Sequence, residues 1–230
     1  GFVYEGTYKY DDFNTSVGAN GETVYTIKDG IPHYQTNPQP GDPKYKDLTG
    51  EGEINDDDKT TIGNGQPKHT GGFSNNFTYK NFDLNIFLQW SYGNDILNAN
   101  RMVFENPSSK QNTNMFATYT NRWTPENPES NMPRAKANGA TEYSSLYVEN
   151  GSYLKLKNIS LGYNFGPKVL DRLGISAARI YLAAENIATF THYSGDDPEV
   201  STRNSVLTPG FDWSAYPRAF TLSFGLNVTF

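Results

Sequence analysis

The stretch best suited to chemistry is Asp47-Leu-Thr-Gly-Glu-Gly-Glu-Ile-Asn-Asp-Asp-Asp58. Laid on a twelve-residue calcium loop, Asp47 opens it, and Thr49 and Glu51 follow at alternate positions. Gly52 is the turn glycine, Glu53 offers its carbonyl, Ile54 is the apolar residue, Asn55 comes next and Asp58 closes the loop. Calcium takes roughly six to eight oxygens, and this spacing brings them toward one point. Three features weaken the site: Thr49 stands where Asp or Asn is usual, Glu51 is long, and Asp58 is short for a two-oxygen closing ligand. The other reading is a solvated acidic turn.

Few other residues invite a reaction. His33, His69 and His192 lie far apart and lack metal-ligand spacing, so they read as surface or interface histidines. No nucleophile elbow, His-Glu-x-x-His or phosphate loop occurs. Asp196 and Asp197 are adjacent, point apart, and read as a turn before Pro198 rather than a catalytic carboxylate pair. Trp123, Trp213 and Tyr216 offer flat faces for stacking on sugars; the competing reading, favoured for Trp90 and Tyr216, is an aromatic girdle at a membrane surface. Asn-x-Ser/Thr triplets at Asn76, Asn158 and Asn227 fall inside strand-like runs and are read as chance. With no active site nominated, the chain is not expected to be an enzyme.

Composition narrows the classes further. The 230 residues are 36% hydrophobic and 14% aromatic, with no cysteine and a formal charge of −6. Disulfides and thiolate metal sites are excluded. The few basic residues are scattered, so nucleic acid is not an expected partner. No apolar run approaches the roughly 18 residues of a spanning helix, whereas alternating barrel strands average out as polar and remain open. The opening residues carry no leader pattern.

The elements that would hold these residues come in blocks. Residues 1–70 are turn-rich, with a short strand expected within 1–10 and the calcium-loop motif near their end. From Gly71 the pattern alternates: Phe73, Asn75, Phe77 and Tyr79 share one face, as do Phe82, Leu84, Ile86, Leu88, Trp90 and Tyr92 after a Lys80-Asn81 turn. This predicts a long hairpin with one apolar face. Residues 93–150 read as a long loop. Leu154 and Leu156 then alternate in one parity, and Ile159, Leu161 and Tyr163 in the other, which predicts a bulge near Asn158. Arg179–Thr191 forms the next strand, after a turn at 167–173 ended by Gly174. Phe220, Leu222, Phe224, Leu226, Val228 and Phe230 alternate without error. A terminal strand of this kind suits a membrane barrel, and a half-buried strand of a β-sandwich is the alternative.

Several segments together resemble SusC/RagA-type TonB-dependent outer-membrane transporters of Bacteroidetes. They are Gly41–Asn55, similar to that family's GDxKYKDxNGDGxI segment, the hairpin Gly72–Asp95, Arg122–Pro128, Asn150–Phe165 and Tyr216–Phe230. They occur in the family's order and cover nearly the whole chain. The resemblance implies an all-β chain: antiparallel transmembrane strands from the C-terminal part of a roughly 22-stranded barrel, with long extracellular loops. It further implies location in the cell outer membrane among lipid and import of oligosaccharides or peptides. The implied partners are a SusD-like surface lipoprotein and TonB, the latter acting through a part absent from this sequence. The plug and most strands are missing, so this chain cannot close such a barrel alone. Calcium would then rigidify a surface loop. A secreted, calcium-stabilised β-sandwich module binding glycans is the alternative function.

Overall fold

The computed structural model describes residues 1–34, 37–106, 114–135, 142–200 and 208–230. Its strands run in the order β1 (Tyr4–Thr7), β2 (Phe13–Val17), β3 (Thr23–Ile27), β4 (Pro43–Tyr45), β5 (His69–Tyr79), β6 (Phe82–Tyr92), β7 (Asp95–Asn98), β8 (Val148–Asn150), β9 (Tyr153–Asn164), β10 (Ala177–Thr191), β11 (Phe211–Asp212) and β12 (Thr221–Thr229). Two short helices interrupt them, α1 (Ala99–Phe104) and α2 (Pro167–Leu173). The chain divides into two compact units that interleave in sequence. One comprises residues 1–64, 97–148 and 211–213; the other comprises 65–96, 149–210 and 214–230.

The second unit is built on one antiparallel sheet in the order β12-β10-β9-β6-β5. Its strands hold 9 to 15 residues, and roughly 9–11 cross a bilayer when tilted. The register carries one apolar face across the whole sheet. Phe77 faces Leu84, Leu84 faces Leu161, Leu161 faces Leu182, and Leu182 faces Phe224. The opposite face reads Thr78, Asp83, Asn85, Ser160, Ala183 and Ser223 (strand parity and register). The expected slip near Asn158 is a bulge at Lys157, which β10 matches with Asn186 and Ile187. One extra residue restores the phase, so Leu154 and Leu156 share the apolar face with Ile159 and Leu161. Asn186 takes φ 53° there, a left-handed conformation that Asn tolerates better than most residues.

The connections are short at one end of this sheet and long at the other. Lys80, at φ 51°, turns β5 into β6. Helix α2 bridges β9 and β10, with Pro167 in its first turn and Gly174 closing it at φ 66°. The segments after β6 and after β10 are the long ones, and barrels in outer membranes show the same asymmetry.

The first unit holds the hairpin β2–β3 and the pair β1–β4. Its core is aromatic: Phe2 stacks on Tyr45 with centroids 5.0 Å apart, and Ile54, Tyr4 and Tyr34 pack around them. Burial raises the phenol pKa of both Tyr4 and Tyr45. Parts of 93–150 read as loop are ordered as α1, a 3₁₀ turn at Ala117–Asn121 and another at Ser145–Tyr147.

Candidate functional site

The acidic loop folds as a self-capped turn. Asp58 is 0% exposed. Its Oδ1 accepts from the Leu48 and Thr49 amides at 2.7 and 3.0 Å and from the Thr49 hydroxyl at 3.2 Å; its Oδ2 accepts from the Asn55 amide at 3.0 Å. The Asn55 amide above all, with those of Leu48 and Thr49, holds the Asp58 carboxyl below its ordinary pKa, against a smaller opposing effect of desolvation. Asp47 accepts from the Gly50 and Gly52 amides and the Thr49 hydroxyl. Gly50 and Gly52 adopt φ 79° and 83°, which turns their amides inward.

Asn55 and Glu51 are also engaged. The Asn55 Oδ1 accepts from the Asp57 amide, its Nδ2 donates to Glu51, and Glu53 forms an isolated β-bridge with His33. Among the described residues, no group of three or more His, Asp or Glu is placed to hold a metal ion. Of the expected ligands Asp47, Thr49, Glu51, Glu53, Asn55 and Asp58, the turn brings the oxygens of Asp47 and Asp58 each to 3.2 Å from the Thr49 hydroxyl. Loop N–H donors and the Thr49 hydroxyl are bonded to both oxygens of Asp47 and of Asp58.

The aromatic candidates separate. Trp123 is buried; its ring lies over Gly41 and 5.5 Å from Tyr10, so it is unavailable for stacking on a sugar. An added Cβ on Gly41, which also takes φ 87°, would lie 2.5 Å from that ring. Trp213 and Tyr216 are exposed, at 46% and 91%.

Trp90 and two of the histidines belong to the apolar face of the sheet, at the end with the long connections. The Trp90 indole donates to His69 at 3.2 Å, and His69 stacks on Tyr92 at 5.1 Å. With His192, Leu154 and Phe190 they line a concavity of about 600 Å³. Rings with a polar edge at the end of an apolar strand face are the composition of a membrane-interface belt. His33 remains apart, in the first unit. Asp196 is exposed, whereas Asp197 is buried against Lys155. Sequence reading assigned Asp197 to a turn and missed the pair, because its partner lies 42 residues away.

Below this belt the apolar face is uncovered. Phe73, Phe77, Leu161, Leu182 and Phe224 all stand exposed in register on one side. Soluble monomers seldom expose a contiguous apolar patch beyond a few hundred Å². A polar inner face, an apolar outer face, an aromatic end and short turns opposite long loops define part of a transmembrane β-barrel. No helix among the described residues is long and apolar enough to cross a membrane, which is no objection to a barrel.

Comparisons with known proteins name the family. The chain is 34% identical over its whole length to TonB-dependent receptor P3 of Formosa agariphila, and spans 22% of that protein. It is 28% identical, over 86% of its length, to TonB-dependent receptor SusC of Bacteroides thetaiotaomicron, of which the alignment covers 18%. Its fold superposes over all of its length on the RagAB peptide importer in the closed-closed state, at TM-score 0.67 and 23% identity, covering 22% of that chain. A second RagAB peptide transporter structure gives 0.66 and 24%. No protein-family model matches. The chain belongs to the SusC/RagA-type TonB-dependent receptors, and spans about a fifth of the length of the curated relatives it matches.

Proposed function

We propose that the chain is the C-terminal barrel segment of a TonB-dependent outer-membrane transporter. In this reading it imports oligosaccharides or peptides, with a SusD-like surface lipoprotein as lid and TonB as the source of energy. The observation that carries the reading is an apolar face continued across five strands, broken at Asn75, each strand long enough for a bilayer, on a sheet whose other face is mostly polar. A secreted glycan-binding sandwich would cover that face with a second sheet, and the described residues leave it exposed. The relatives' name, TonB-dependent receptor, points the same way.

The test is uptake by cells with and without the gene, offered labelled peptides and labelled oligosaccharides separately. Loss of uptake of one class on deletion, and its abolition by a protonophore in the parent cells, supports the proposal. Uptake unchanged by deletion for both classes refutes it.

For the acidic turn we propose closure by its own amides. Calcium, which the spacing alone suggests, would add its own bonds to the oxygens of Asp47, Thr49 and Asp58. Titrating calcium and then a chelator against the folded protein decides between the two.

A further inference from the structure

The connection between β10 and β12 is far longer than the two to five residues a hairpin needs. Its described part is fastened at three places in the second unit. Glu149 accepts from both the amide and the hydroxyl of Ser194, each at 2.8 Å. Tyr193 and Val200 pack on the fully buried Ile96. The third fastening is ionic: Lys155 Nζ lies 2.6 Å from Asp197 and 2.7 Å from Glu199, and is 3% exposed.

That lysine sits on the polar face of the sheet. Its register partner on β6 is Gln89 and on β10 is Thr189, opposite in parity to Leu154 and Leu156. Glu199 collects further donors from the same face and from the loop: Lys157 at 2.9 Å, Gln89 at 3.5 Å and Arg218 at 3.4 Å. Asp197 in turn accepts from the Glu199 and Arg218 amides. The loop thus returns to the face opposite the apolar one, near the strand ends from which it departs.

A buried lysine is costly without partners, and breaking a buried pair is costlier than never forming it. A segment meant to swing would have to break both ion pairs of the buried Lys155 at every opening. We propose that Lys155 is a positioning residue that clamps residues 193–200 of the β10–β12 connection against the inner wall of the barrel mouth, so that this segment is a fixed wall of the conduit and not a hinged lid. The proposal rests on the barrel reading above, since only a barrel makes the polar face an interior.

Burial alone raises the Asp197 and Glu199 carboxyls. Hydrogen bonds and charge from Lys155, with Lys157 also at Glu199, outweigh it and hold both below their ordinary range. A lowered folded pKa contributes stability above the ordinary carboxylate value, and that contribution is lost as pH falls through the lowered one. Acid should therefore release the loop.

The test uses the whole transporter in detergent, comparing K155M, K155R and K155M/D197N/E199Q with the parent. Heat-modifiable gel migration reads the barrel, limited proteolysis within 192–200 reads the fastened segment, and uptake is split into KM and maximal rate. K155M should raise the cleavage rate by about tenfold or more with migration unchanged. K155R should restore slow cleavage. The parent should be cleaved faster as pH falls, and the triple variant should lose that pH dependence. Cleavage of K155M at the parental rate overturns the proposal, and so does loss of the barrel itself in K155M. A parent that never shows heat-modifiable migration refutes the barrel reading separately, while the cleavage comparison still reports on the clamp.

Discussion

At Asp58 one short carboxylate closes a twelve-residue loop by accepting three amides and a hydroxyl. The short side chain at the closing position is matched to those amides. Asp58→Ala should open the loop and speed amide exchange at Leu48, Thr49 and Asn55, and added calcium should not restore protection. Slow exchange in the variant, or rescue by calcium, would contradict the self-capped turn. Because the Asp58 pKa is lowered, the loop should hold at neutral pH and loosen as pH falls through that lowered value. The spacing of these residues was legible in the sequence. Their partners were not: an oxygen that accepts an amide and one that ligates calcium sit at the same positions, and only backbone geometry separates them. Lys155 and Asp197 show the same limit at longer range, since alternation marks Lys155 as inward and says nothing of the loop that reaches it.

Among the elements, the five-strand sheet was the most readable. Alternation over nine or more residues fixes a face, and the bulge at Lys157 shows in the sequence itself as a parity slip. The hairpin β2–β3 escaped notice because only Phe13 is buried on it, with Tyr25 and Ile27 half-buried on the same face and Val17 and Val24 exposed, so its two five-residue strands carry too few apolar positions to mark a period. If the apolar face meets lipid, charge on it should be penalised by depth. Leu182→Arg should lower folding stability in vesicles by about 2–4 kcal/mol, as expected near a bilayer midplane. Ser160→Arg, on the other face, should change it little. Equal penalties would place neither face in lipid. On the inner face the Tyr181 ring covers Gly225, where an added Cβ would lie 2.1 Å from it. Gly225→Val should displace that ring and destabilise the β10–β12 pair, seen as faster exchange of its ladder amides.

For the whole molecule, the edges of the sheet set the expectation. β12 and β5 each lack a neighbour on one side among the described residues, and an open strand edge seeks a partner. The isolated chain should associate or require detergent, with fast exchange at outer-edge amides of β12 that become protected in the full transporter. The composition becomes intelligible at this scale. A mean hydropathy of −0.68 with 14% aromatics reflects a sheet that is apolar on one side only, together with long polar connections.

The central claim is that one face of this sheet meets lipid and the other meets water. Single cysteines can be placed at Leu161, Leu182 and Phe224, and separately at Ser160, Ala183 and Ser223, in a full-length protein cleared of any cysteine outside this segment, in intact outer membranes. The account predicts that a small water-soluble thiol reagent labels only the second set and a lipid-soluble maleimide favours the first. Equal labelling of both sets by the water-soluble reagent would contradict it.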